Sequence, residues 1–404
     1  MFLSAGEASG DHYGAQIIAE LRRRIPQSFP GQATFTGLGG AEMAAAGQTR
    51  VIRAEDVAHM GITEVLRHMP RVFRAYRALV ADLHGSRPAL AILIDFPDVN
   101  FRLAKHCKRL GIPVLWFVSP QLWAWKRRRL RWVQQCVSKM LVIFPFEAPF
   151  YRARGVDAEF VGHPLAALPL PTISREAYAA EHGLDPSKEW IALLPGSREK
   201  EIEANLAEME DSAALLEVLD VVNDYECLVP VASTLSREWV EGQMTYRANL
   251  HLVPDARPAL YHARAAIVAS GTATVQALTI GNPFIVVYRV SRLTFALAKR
   301  LIRYPMEIGD PTQLKDADGN LPIAMVNLIA GRRIVPELIN DRFTADNLAA
   351  ALRPLLTDTP IRAQMIADLA AARTRLLPVV PAPANPIQRV CDIALVLLAP
   401  NADS

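Results

Sequence analysis

Two carboxylates three residues apart, in Ile94-Asp95-Phe96-Pro97-Asp98-Val99-Asn100, stand where an apolar run gives way to a helical pattern. A carboxylate placed there can take a proton from a substrate hydroxyl. Asp98 could instead cap the helix expected over Val99–Leu110, and the two roles oppose each other because capping favours the ionised form. A second chemistry is suggested by Leu193-Leu194-Pro195-Gly196-Ser197-Arg198, where a strand runs into a small-residue turn and then a basic side chain opens a helix. Backbone N–H groups at such a turn favour phosphate, and Arg198 adds a charge-assisted contact. Ala269-Ser270-Gly271-Thr272-Ala273-Thr274 repeats that design, with Ser270 and Thr272 able to bond phosphate oxygens. Two such turns in one half point to a nucleotide diphosphate; the plainer alternative is two ordinary helix caps.

A third glycine-bearing turn, Ser4-Ala5-Gly6-Glu7-Ala8-Ser9-Gly10-Asp11-His12-Tyr13-Gly14, follows the first expected strand. Its spacing is not G-x-G-x-x-G, and Thr36-Gly37-Leu38-Gly39-Gly40 supplies no acidic residue after the second strand, so a dinucleotide site is weakly supported. The competing reading is a turn capped by Ser9 or Asp11. Further on, Trp123-Ala124-Trp125-Lys126-Arg127-Arg128-Arg129-Leu130-Arg131-Trp132 sets five basic residues among three tryptophans. Such a mixture suits a lipid headgroup interface, at about 1 kcal/mol per basic residue near an anionic surface. No nucleic-acid fold motif accompanies it, so a membrane is favoured over nucleic acid. From Met60 to Val80 apolar residues recur at helical spacing, with Arg67, Arg71, Arg74 and Arg77 on a basic side and Pro70 expected to start a second helix. That stripe serves equally as ordinary core.

The elements that must position these groups follow from periodicity. Phe2–Ala5, Ala33–Gly37, Ala89–Phe96, Pro113–Ser119, Lys139–Phe144 and Glu159–Val161 read as strands separated by helical patterns, which is the grammar of a parallel sheet. After a proline-rich stretch, Pro164–Ser174, a second series begins with Trp190–Leu194, Cys227–Val231, Leu250–Val253, Ala265–Ala269 and Phe284–Tyr288. The expected class is α/β, with two Rossmann-like domains facing a cleft: residues 1–165, then 175–345, then C-terminal helices over 346–404. The last helix, Asn385–Leu398, is expected to pack back on the first domain by analogy. Ile302–Met325, rich in Pro, Gly and Asp, reads as a long loop.

At 404 residues and 51% hydrophobic composition the chain buries large cores and is neither disordered nor fibrous. The longest apolar runs are far below the ~20 residues that span a bilayer, and the start carries no secretory pattern, so a cytosolic location is expected. The four cysteines have no metal-ligand spacing and are expected as reduced, mostly buried thiols. Charge is uneven: residues 1–165 carry 22 Lys/Arg against 13 Asp/Glu, and residues 166–404 carry 22 against 28. The first half is thus expected to meet an anionic partner.

SAGEASGD over Ser4–Asp11, Gly37–Gly40, Met60–Leu66, Ile94–Asn100, VSPQLWAW over Val118–Trp125, Phe144–Phe150, Gly162-His163-Pro164, Leu194–Arg198, Ala269–Thr274 and NLIAGRRIVPE over Asn327–Glu337 occur in order along nearly the whole chain. In this it resembles the lipid-A-disaccharide synthase family. The resemblance implies a GT-B glycosyltransferase. Such an enzyme moves a diacylglucosamine unit from UDP to the primary hydroxyl of diacylglucosamine 1-phosphate, inverting the anomeric centre at the cytoplasmic face of the inner membrane. It implies no cofactor and no metal. By position, Asp98 matches the carboxylate that activates the acceptor, with Glu7 and Asp95 as nearby alternatives. Arg198, Ser270, Gly271 and Thr272 would hold the uridine diphosphate, and Asn327 and Arg332 would shape the same site. Met60–Val80 would form the patch where acyl chains enter. Gln276 stands where the family commonly has Glu, which is expected to weaken donor binding about fivefold to tenfold, and the Ile302–Met325 connection is longer than usual. Other readings are a GT-B enzyme with another lipid acceptor, a UDP-sugar epimerase, or a degenerate sugar-nucleotide or lipid-binding protein. A homodimer is among the allowed states.

Overall fold

Strands covered by helices on both faces must be apolar almost throughout, and β1 (Phe2–Ala5), β4 (Ala91–Ile94) and β5 (Val114–Phe117) are buried at every position. With β2 (Phe35–Gly39), β3 (Gln48–Arg53), β6 (Lys139–Val142) and β7 (Ala158–Phe160) they form a seven-stranded parallel sheet in the order β3-β2-β1-β4-β5-β6-β7. A second parallel sheet, ordered β10-β9-β8-β11-β12-β13, is built from β8 (Glu189–Leu194), β9 (Tyr225–Pro230), β10 (Leu250–Val253), β11 (Ala265–Ala269), β12 (Phe284–Tyr288) and β13 (Glu337–Ile339). Both orders are those of a doubly wound sheet, in which the chain starts centrally, winds outward, then returns to wind the other way. The computed structural model describes residues 1–29, 32–58, 62–218, 225–245, 249–378 and 385–399.

The chain divides into two compact units, one of Met1–Ala167 with Leu377–Ser404 and one of Leu168–Leu376. The last helix, Pro386–Leu398, belongs to the first unit, and Asn385 caps it by accepting from the Ile387 N–H. Ile387, Val390, Cys391 and Ala394 on its inner face join Ile17, Leu21 and Ile25 in the core around β1. Fully burying each such aliphatic chain contributes about 1.5–3 kcal/mol. Arg24–Asp392 and Arg389–Glu159, both at 2.6 Å, fix its register. All four cysteines are buried and free.

Two strands of the sheets are absent from the sequence reading. Strand β3 (Gln-Thr-Arg-Val-Ile-Arg) lies at a sheet edge, half open to solvent, and so lacks the apolar run that marks a central strand. Strand β13 is three residues long at the other sheet's edge. Pro70 does not start a helix: one helix runs from Ile62 to Ser86 through it. A proline inside a helix removes one hydrogen bond, a cost that a 25-residue helix can absorb. The segment between Ile302 and Met325 contains only the one-turn helix Pro311–Leu314. It is held from beyond its end by Arg333, whose guanidinium donates to the carbonyls of Leu314 (3.0 Å) and Asn320 (2.8 Å).

Candidate active site

In each sheet the order reverses at one place, between β1 and β4 and between β8 and β11. Loops leaving those neighbouring strands diverge to opposite faces and open a crevice at the carboxyl ends. The first crevice receives Glu7 after β1 and Asp95 after β4; the second receives Pro195–Arg198 after β8 and Ser270–Thr272 after β11.

At the first crevice the backbone turns sharply. Asp95 and Phe96 take φ values of 43° and 46°, and beyond β5 Val118 and Lys126 take 62° and 51°. Among the described residues, four of the six non-glycine residues with left-handed backbone therefore lie in these two loops; such strain persists where surrounding contacts over-determine it. Asn100 supplies those contacts for Asp95. Fully buried, it accepts from the Ser4 hydroxyl at 2.6 Å and donates to the carbonyls of Asp95 (2.7 Å), Ile94 (3.2 Å) and Ser4 (3.3 Å). It thereby ties the end of β1 to the end of β4. Gly6 completes the turn, because a Cβ there would overlap the Phe96 ring.

Burial raises the Asp95 carboxyl to about 6, and the negative charge of Glu7 adds to the effect, while a bond from the Phe96 backbone opposes it. Asp98 differs. The helix begins earlier than expected, at Pro97, with Phe96 as its N-cap and no side-chain cap. Asp98 is therefore the second residue of the helix and not its cap. It is 74% exposed and forms an ion pair with Arg129 at 2.7 Å. Neither Ser9 nor Asp11 caps its own helix either. Asp11 instead accepts from the backbone N–H groups of Gly40 (2.7 Å), Glu42 (3.0 Å) and Met43 (3.2 Å), clamping the next helix to this loop.

The loop that carries Arg129 is seated on a carboxylate which sequence reasoning did not single out. Glu147 is fully buried and accepts from the Ser119 hydroxyl (2.7 Å), the Trp123 indole (3.1 Å) and the Phe144 N–H (3.0 Å). Burial pushes its carboxyl up to about 7 despite these donors. The signal was present in the sequence, an acid inside the apolar Phe144–Phe150, but an isolated Glu has no partner visible from spacing. Of the three tryptophans, Trp123 is thus core, Trp132 is half-buried under Lys105, and Trp125 is exposed with the Lys126 ammonium 4.0 Å from its ring centre. Of the apolar stripe over Met60–Val80, Met60 and the side chains of 62–71 lie outside the described residues. Phe73 is exposed, with Arg77 over its ring.

At the second crevice Gly196 has φ 142° and carries the turn into the helix Glu199–Val218. Glu201 reaches back to accept from the Ser197 N–H (2.8 Å) and from Arg198 (3.3 Å), whose side chain is 77% exposed. Gly271, at φ 154°, precedes the helix Thr272–Ile280 without a side-chain cap, and Gly271 and Thr272 are exposed at its N-terminus. Whereas at the neighbouring turn Glu201 already accepts from the Ser197 N–H, the turn at Gly271 thus presents an uncapped helix N-terminus, an arrangement suited to phosphate. Gln276 lies one turn further along that helix, half-buried. Asn327 is fully buried and its amide is taken up locally: it donates to Val335 O (3.0 Å) and Glu337 (2.7 Å) and accepts from the N–H groups of Ile334 and Val335. It thereby fixes the 334–337 turn. Arg332 grips Asp368 through two bonds, of 2.6 and 3.1 Å. A cavity of about 730 Å³ beside β13 is lined by Arg333, Val335, Glu337, Ile361 and Asp368, among others, and by none of the residues expected to bind a ligand. Among the described residues no cluster of His, Cys, Asp or Glu could hold a metal, and no helix is long and apolar enough to cross a membrane.

Comparison with known proteins places this geometry in context. A family model described as lipid-A-disaccharide synthetase matches residues 1–373. A lipid-A-disaccharide synthase of Acidobacterium capsulatum is 50% identical over 391 residues, covering 93% of this chain and 91% of that protein. Among solved structures, CalG4, the calicheamicin glycosyltransferase, superposes with a TM-score of 0.57 at 16% identity, covering 99% of this chain and 98% of that one. UDP-GlcNAc 2-epimerase from Neisseria meningitidis bound to UDP-GlcNAc gives 0.54 at 10% identity, with 98% of each chain covered. The GT-B-like fold is common to a transferase and an epimerase, so the fold alone does not choose between them.

Proposed function

The chain belongs to the lipid-A-disaccharide synthase family and is a hexosyltransferase, and on that premise we propose how its two crevices divide the reaction. The second crevice holds the UDP of a diacylglucosamine donor. Arg198, the Ser270 hydroxyl and the N–H groups at Gly271 and Thr272 face the diphosphate, and Gln276 meets the ribose. Fixed donors aimed at the leaving diphosphate stabilise the charge that develops on it, the task a metal ion performs elsewhere. The first crevice holds diacylglucosamine 1-phosphate, whose primary hydroxyl loses its proton to Asp98 as it attacks the anomeric carbon from the face opposite UDP. The C–O bond to UDP breaks, a β-1,6 bond forms, and the disaccharide 1-phosphate and UDP leave. Asp95 and Glu7 set the charge of the pocket behind Asp98. The basic first half, with exposed Trp125 and Phe73, docks on the cytoplasmic face of the inner membrane, where both lipid substrates reside.

The observation that carries the assignment of the base is the exposed Asp98 carboxylate, just beyond the end of β4 where the order of the first sheet reverses. Asp98→Asn preserves size and removes the proton acceptor. Steady-state kinetics should show kcat reduced about 10²–10⁴-fold with little change in acceptor KM. Full turnover by this variant would move the role to Asp95 or Glu7.

A further inference from the structure

The second unit carries an amphipathic helix that the proposed reaction does not use. After β12 the chain is pinned by Arg289, which donates to Ala204 O (2.7 Å) and Phe343 O (3.0 Å) and pairs with Glu208 (3.0 Å). Ser291 then caps the helix Arg292–Leu301 by accepting from the Thr294 N–H. Phe295, Ala298 and Ile302 are half-buried on its inner side. Its outer side is apolar too: Leu297 and Leu301, one turn apart, are 56% and 58% exposed, and Met306 just beyond is 71% exposed. Single exposed leucines are ordinary, but three large apolar side chains along one ridge make a patch.

The charge along that helix is of one sign, up to Glu307 just after Met306. Arg289–Met306 contains five basic residues and no acidic one, although residues 166–404 as a whole carry six more acids than bases. Lys299, Arg300 and Arg303 are exposed, and among the described residues neither Lys299 nor Arg300 pairs with a carboxylate. A helix with leucines outward and cations alongside fits a surface that is apolar at shallow depth and negative above it.

We propose that this outer face is a lipid contact of the donor-binding unit, in which Leu297, Leu301 and Met306 enter the headgroup boundary and Lys299 and Arg300 meet anionic phospholipid. It is additional to the basic, tryptophan-bearing surface of the first unit. It would bring the unit that holds the nucleotide to the bilayer in which an acylated donor is anchored; that purpose rests on the proposed reaction, whereas the contact itself does not.

The test is co-sedimentation of the full chain with vesicles of phosphatidylethanolamine and phosphatidylglycerol, and with neutral phosphatidylcholine vesicles, without substrate. The paired variants Lys299→Glu with Arg300→Glu and Leu297→Ser with Leu301→Ser should each lower partitioning onto the anionic vesicles about tenfold or more. Added salt should weaken wild-type binding. Both variants should keep wild-type UDP release within about twofold when the substrates are dispersed in detergent micelles, which also shows that they fold. Undiminished partitioning of both variants overturns the proposal. So does a leucine variant that partitions normally but loses self-association on a sizing column, since the face would then join two copies of the chain. Absence of UDP release by the wild-type protein in micelles would sink the proposed reaction and leave the lipid contact standing on its partitioning data.

Discussion

Asp95 holds its proton more tightly in the folded chain than in the unfolded one, with a carboxyl raised from 3.8 to about 6. Between about pH 4 and pH 6 unfolding therefore releases a proton, and stability falls as pH rises through that window. Above both values the ionised group weakens the fold by at most about 3 kcal/mol. Asp95→Asn should accordingly raise the melting temperature by several degrees at pH 7.5 and leave it nearly unchanged at pH 4, as thermal denaturation at the two pH values would show. An equal change at both would mean that the effect is packing rather than charge. On the nucleotide side, Gln276→Glu should tighten UDP binding about fivefold to tenfold by calorimetry if the side chain meets the ribose hydroxyls. Unaltered affinity would remove Gln276 from the donor site.

At the scale of elements, the loops are held by buried polar hubs, and this is where sequence reading reached its limit. The central strands and both small-residue turns were legible because burial on two faces leaves an unbroken apolar run and because left-handed turns select glycine. The Asn100–Ser4 bond and the partners of Glu147 were not, since each joins residues far apart in sequence whose proximity is created only when the sheet closes. Asn327, expected to shape the donor site, has its amide bonded to residues 334–337 beyond its own helix, and Asp98, weighed as a helix cap, lies inside the first turn and makes no capping bond. Glu147→Ala would leave the donors of Ser119, Trp123 and Phe144 unsatisfied, at about 1–3 kcal/mol each. A fall in melting temperature of about 6 °C or more is expected, with acceptor KM rising as the Ser119–Arg129 loop loosens. Wild-type stability in this variant would mean that the loop is held by its other contacts.

For the whole molecule, the return of the last helix makes the first unit depend on residues more than 200 positions away from the rest of it. Removing residues 385–404 uncovers Ile17, Leu21 and Ile25. The first unit should then melt earlier, while UDP still raises the melting temperature of the second. Loss of the UDP effect as well would show that the units fold as one. The uneven charge, positive over residues 1–165 and negative beyond, is what the proposed membrane docking of the first unit calls for, and the helix after β12 is a local exception to that division.

The central claim is hexosyl transfer between two lipid-linked sugars. Its most direct test is to incubate the purified protein with UDP-diacylglucosamine and diacylglucosamine 1-phosphate in detergent and analyse both products. One UDP should appear for each disaccharide 1-phosphate formed, with a β-1,6 linkage by NMR and no added metal required. UDP release without disaccharide, an α linkage, or binding of donor without turnover would contradict it.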